Sequence, residues 1–240
     1  MNRKINTRET GLFEFVEGLK TGKYLIPSFQ REFVWEPCDI IRLWESIYNF
    51  YPVGTILCWE TDIKLNIHRK PGGVIADEAD DANKTEYNYI LDGQQRATSL
   101  LLSVSGFTIR AACRREFDHS LFFDSKNSLF FFASEYKKRK REVSPQFLIS
   151  LPDLFHNGLI SLQHTLDCSE CTGRIKKNLL QLRFVLSNYN IPVTSISGFD
   201  IPAVSRIFEL INREGKALKS MDIMIARSFR NYEYLVEEDF

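Results

Sequence analysis

At 240 residues, with 44% hydrophobic content and 19 Phe, the chain has room for one large aromatic-rich domain or two smaller ones. Its 31 Lys and Arg balance 31 Asp and Glu, so no global basic field draws it onto nucleic acid, and DNA contact needs a local patch or another domain. No apolar stretch is long enough to span a membrane, the N-terminus has no signal-peptide core, and five irregularly spaced Cys point to reduced thiols in a cytoplasmic setting.

Leu12, Phe15, Val16 and Leu19 recur at helical spacing and predict a helix over 6–20, capped by Thr7 or Thr10 and ended by Gly22. The segment IPSFQREFVW at 26–35 enters extended through Pro27 and is anchored by Phe33 and Trp35. Pro37 suits the first turn of a helix with Ile40, Leu43, Trp44 and Ile47 on its buried face. Tyr51 and Pro52 close that helix, and 53–59 reads as a buried strand. Residues 61–86 are mostly polar, with an acidic run at Asp77, Glu78, Asp80 and Asp81, and predict a long exposed loop.

The stretch YILDGQQRATSLLL at 89–102 organises the chain. It opens apolar and β-rich, breaks at Asp92-Gly93, and continues with apolar residues at helical spacing. Strand, tight turn and helix is the simplest reading. The free N–H groups and positive dipole end of such a helix make a ready anion site. Arg96 adds a planar cation suited to phosphate. Asp92 can hold a metal ion or polarise a water, and the amides of Gln94 and Gln95 can position a nucleoside or a water. Asp-Gly is also an ordinary turn pair and Asp an ordinary cap, so a purely structural corner stands beside the phosphate reading.

Residues 107–132 read as β structure, with a hairpin turn at 124–128. The basic run at 137–141 is read as a solvated segment in preference to a nucleic-acid contact. From 150 onward the pattern is mainly helical: a short helix at Leu151, a stronger one over 175–186, and another over 201–211. Residues 191–196 form a further strand, which Pro192 confines to an edge or a strand start. Ser220 is a cap for a last helix. The readings combine as an α/β (α+β) chain, with a domain over 1–150 and a mainly helical extension over 151–240 packed on it, or one continuous domain. Cys168 and Cys171 with His164 supply three zinc ligands where a structural site needs four, and Cys113 is a loose fourth.

Three segments in order, IPSFQREFVW at 26–35, ILDGQQRATSL at 90–100 and FELINREGKAL at 208–218, resemble one family. It is the N-terminal domain of GmrSD-type modification-dependent restriction endonucleases, a ParB/sulfiredoxin-like domain of bacterial and archaeal defence systems. The resemblance implies a ParB-like fold with a nucleoside-triphosphate site at the DGQQR turn, where binding or hydrolysis regulates DNA cleavage. By that analogy Asp92, Gln95 and Arg96 are catalytic and Asp92 bears on Mg²⁺. Gln30, Arg31, Gly93, Gln94, Arg96, Thr98 and Asn212 contact the nucleotide. DNA is then reached through a nuclease domain or subunit outside this chain, since no HNH-type motif follows Asp118-His119. The alternative is a ParB-like DNA-binding or nicking module without NTPase activity. No membrane partner is implied.

Overall fold

A computed structural model describes residues 2–27, 30–65, 68–69, 85–105, 108–110 and 116–211. The first element is strand β1 (Lys4–Gly11), and helix α1 (Leu12–Lys20) starts only after it. The predicted helix is therefore corrected over 6–11. Those residues pair along their whole length with a distant strand, and Thr7 bonds Thr194 through the two hydroxyls at 2.9 Å. Tertiary pairing overrides the local helical pattern here. Neither Thr7 nor Thr10 caps α1; its N-cap is Gly11, without a side-chain bond. Its C-terminus does close at Gly22, which sits at φ 72°. The Lys23 N–H donates to Gly18 O at 2.8 Å and the Gly22 N–H to Leu19 O at 3.3 Å.

Strand β2 (Ile26–Pro27) leads to helix α2 (Pro37–Tyr48), which buries Ile40, Leu43, Trp44 and Ile47. Glu36 and Asp39 cap it reciprocally. Strand β3 (Ile56–Thr61) begins later than the predicted 53–59, because Gly54 turns the backbone at φ 84°. Strand β4 (His68–Arg69) pairs with β2. The acidic run at 77–81 lies outside the described residues. Strand β5 (Tyr87–Asp92) and helix α3 (Gln94–Ser105) form the expected strand–turn–helix. All of α3 except Arg96 and Ser105 is buried, so the helix is enclosed on every face.

Strands β6 (Thr108–Arg110) and β7 (Glu116–Asp118) pair with each other. Strands β8 (Leu121–Asp124) and β9 (Leu129–Phe132) form the predicted hairpin. The short helix α4 (Tyr136–Arg139) carries most of the basic run, and strand β10 (Leu148–Ser150) joins β8. Helices α5 (Leu151–Asn157), α6 (Ile160–Leu166) and α7 (Gly173–Asn188) follow. Strand β11 (Asn190–Ser197) and helix α8 (Ile201–Ile211) complete the described chain. The predicted helix from Ser220 lies outside the described residues.

Helices and strands mix throughout, as an α/β chain requires. The main sheet runs β1-β11-β3-β5, with β11 antiparallel to β1 and parallel to β3. A division at residue 150 thus cuts across this sheet, since β11 lies inside it. Pro192 falls at the start of β11, before the two-sided pairing begins at Val193. Side chains alternate between two cores. Ile56, Cys58, Ile90 and Val193 face the larger core with α1, α2 and α3. Leu57, Trp59, Tyr89, Leu91 and Ile196 face a smaller one closed by Val204 and Phe208 of α8.

Candidate functional site

The corner forms where β5 ends at Asp92, Gly93 turns, and α3 begins at Gln94. Gly93 has φ 89°, and a Cβ there would collide with Ile56 Cδ1. The Ala97 N–H donates to Gly93 O at 2.9 Å, opening the helix. The first N–H groups of a helix have no intrahelical acceptor.

Residues 30–35 cross this corner as a strap. Gln30, 8% exposed, donates through Nε2 to Ile90 O at 2.7 Å and Leu91 O at 2.9 Å. Its amide takes over the edge of β5 beyond the point where Leu25 pairs with it. Gln94 Nε2 donates to Arg31 O at 2.6 Å. Gln95 works in both directions: Nε2 donates to Glu32 O at 3.1 Å, and Oε1 accepts from Val34 N at 2.9 Å and Trp35 N at 3.3 Å. The two glutamines thus hold the strap against the start of α3, and the Arg31 and Glu32 side chains are exposed.

Arg96 ties down the opposite side. Its Nη1 donates to Val53 O at 2.6 Å and its Nη2 to Asp92 Oδ2 at 3.2 Å. The guanidinium occupies a slot floored by glycine, for a Cβ on Gly54 would strike Nη1. These bonds use two of its five N–H donors, and its side chain stays 19% exposed beside an Asp92 side chain that is 46% exposed.

Of the residues singled out in the sequence, Gln30, Arg31, Asp92, Gly93, Gln94, Gln95 and Arg96 therefore meet at one place. Thr98 is 2% exposed, and its Oγ1 has no hydrogen-bond partner among the described residues. Asn212 lies outside them. Sequence reading missed Val53 and Gly54; a glycine two residues after Pro52 and two before the apolar run that starts at Ile56 was the available signal. Among the described residues no group of three or more His, Cys, Asp or Glu is placed to hold a metal, the 164–171 segment included. Cys113 lies outside the described residues.

The chain is 24% identical over 246 residues to the uncharacterized protein MJ0686 of Methanocaldococcus jannaschii, with 91% of this chain and 41% of that protein aligned. The chain thus spans under half the length of that relative. A family model described as "GmrSD restriction endonuclease, N-terminal domain" matches residues 12–229, which takes in the strap, the corner and both cores. By that match the chain belongs to the GmrSD restriction endonuclease N-terminal domain family.

Proposed function

We propose that the corner binds the phosphates of a nucleoside triphosphate with Mg²⁺ and hydrolyses it, as the regulatory part of a bacterial or archaeal DNA restriction or anti-phage system in the cytoplasm. One observation carries the reading. The strap and the corner are locked to each other, yet Arg31, Asp92 and part of Arg96 stay open to solvent, beside the exposed Glu32 and Val34 of the strap. Arg31 offers a cation, and the start of α3 offers its dipole. Arg96 is already oriented by Val53 O, so it loses little freedom on meeting an anion. A single carboxylate such as Asp92 fits Mg²⁺, which takes its other ligands from phosphates and water. When bound, the ion neutralises phosphate charge. Gln94 and Gln95 act as positioning residues, holding the strap in place. The geometry of phosphoryl transfer asks mainly for placed charge, which this corner supplies. DNA cleavage is assigned to a domain or subunit outside this chain.

A structural corner is the second reading. It is favoured by the engagement of the Gln30, Gln94 and Gln95 amides with backbone groups. A thermal-shift screen with ATP, GTP, CTP and UTP, with and without Mg²⁺, separates the two. The informative variants are Arg31→Ala and Asp92→Asn, because Arg96→Ala also releases Val53 and Asp92. Stabilisation by one nucleotide that Arg31→Ala removes supports the site, and phosphate release lost in Asp92→Asn supports hydrolysis. No shift with any nucleotide refutes it.

A further inference from the structure

The basic run and the hairpin turn find a common place in the fold. Asp124 is fully buried at the hairpin turn, and its Oδ2 lies 3.6 Å from Arg139 Nη1. Arg139 also lies over the Phe131 ring at 5.5 Å. This one residue of the run is turned inward, and it fixes α4 beside the hairpin. Lys137, Lys140 and Arg141 are exposed around it. Lys126, at the hairpin tip, is exposed and donates through Nζ to Glu142 O at 3.3 Å. From the other side Asn178 of α7 donates to Ser125 O at 2.8 Å, which brings Arg174, one helical turn earlier, and Lys177 to the same hairpin. Six cations from these segments thus gather around the 124–128 hairpin turn of a chain with zero net charge, and Lys138 and Lys176 are exposed on the same helices. None of the six forms an ion pair among the described residues. The acidic groups nearby are Glu135, 3.8 Å from Arg139, Glu142, and Glu170, which accepts from Gln146.

Helix α7 adds an independent reason. It has 16 residues and no acidic one, and its first two turns hold Arg174, Lys176 and Lys177. Cations at the positive end of a helix dipole oppose folding. A polyanion across that end removes the penalty. The six cations are not interleaved with exposed aromatic side chains, so they form no stacking platform for unpaired bases.

We propose that this cluster docks double-stranded DNA through its phosphates, so that the chain itself contacts DNA. The proposal does not depend on nucleotide binding at the corner. If all six cations meet phosphates, affinity falls by about a thousandfold between about 50 and about 200 mM salt.

The test is fluorescence anisotropy of a labelled duplex of about 20 base pairs, long enough for two turns of contact, titrated with the 240-residue chain at several salt concentrations. Lys140→Glu with Arg141→Glu, and separately Lys177→Glu, are expected to raise Kd by about tenfold or more and to flatten the salt slope. Lys4→Glu, the same charge change on exposed β1, is expected to leave Kd within about twofold. The neutral Lys140→Gln with Arg141→Gln guards against loss of fold and should give a smaller loss in the same direction. Absence of duplex binding at low salt overturns the proposal. So does equal weakening by Lys4→Glu, a preference for single strands, or binding of phosphatidylserine vesicles in place of DNA. Because nucleotide binding is read by thermal shift with Arg31→Ala, failure of one proposal leaves the other standing.

Discussion

Gln95 is the side chain on which the strap most depends, and its removal has a calculable effect. It is 8% exposed, and it makes one donated and two accepted contacts with the strap. The accepted pair shares one oxygen and the longer member is 3.3 Å, so the set is worth about two full hydrogen bonds. At about 1 kcal/mol net for each, Gln95→Ala costs about 2 kcal/mol, and somewhat more because the Glu32 carbonyl and the Val34 and Trp35 amides lose their partners. The loss falls on local opening of 30–35 before it falls on the whole fold, since α3 keeps its apolar packing. Hydrogen exchange at Val34 and Trp35 is expected to speed up by about thirtyfold, the rate equivalent of about 2 kcal/mol. Gln95→Glu separates the two directions. Its carboxylate still accepts from both amides, but it has no donor for Glu32 O, so exchange is expected to rise less than in Gln95→Ala. Unchanged exchange at Val34 and Trp35 in Gln95→Ala would refute the strap argument.

Other expectations follow from single contacts. Gly93→Ala meets both a φ of 89° and the Ile56 side chain, whereas Gly173→Ala meets a φ of 52° in open space. Urea unfolding should therefore show a loss above about 2 kcal/mol for the first and about 1 kcal/mol for the second; equal losses would mean that Ile56 gives way freely. Asp124→Ala removes the acceptor for Lys126 N, Asn127 N and Asn127 Nδ2 and leaves Arg139 without its buried partner, a loss of about 2–4 kcal/mol in the same assay. Burial, with help from Glu60, pushes the Cys58 thiol up to about 12. The raised folded value means that this contribution is intact at neutral pH and is lost as pH rises from the ordinary thiol range toward 12. The urea midpoint is expected to fall over that alkaline window, less steeply in Cys58→Ala; parallel curves would remove Cys58 as a cause.

Much of the architecture was legible because it rests on local chemistry. The face formed by Ile40, Leu43, Trp44 and Ile47 is buried as its spacing implies, and the Asp92-Gly93 break and the 124–128 turn stand where their residues demand. What local pattern could not carry is distant partnership. Residues 6–11 read as the first turns of a helix until β11 is known to lie beside them. The amides of Gln94 and Gln95 read as ligand-facing because their other candidate partners, the carbonyls of Arg31 and Glu32, become neighbours only in the folded chain. Arg96 reads as a cation for the corner, but its slot depends on Gly54, which reads locally as part of a strand.

The place of β11 also sets the order in which the protein can be made. During synthesis the strands β1, β3 and β5 emerge early, yet β1 has no hydrogen-bonded neighbour in the sheet until 190–197 leave the ribosome. Its contacts span nearly the whole described chain, the kind of long-range closure that slows folding. The nascent N-terminal half must wait with an incomplete sheet, and its exposed edges are open to chaperones or to mispairing. A polypeptide cut after residue 150 should for the same reason be a substrate for proteases rather than a free-standing module.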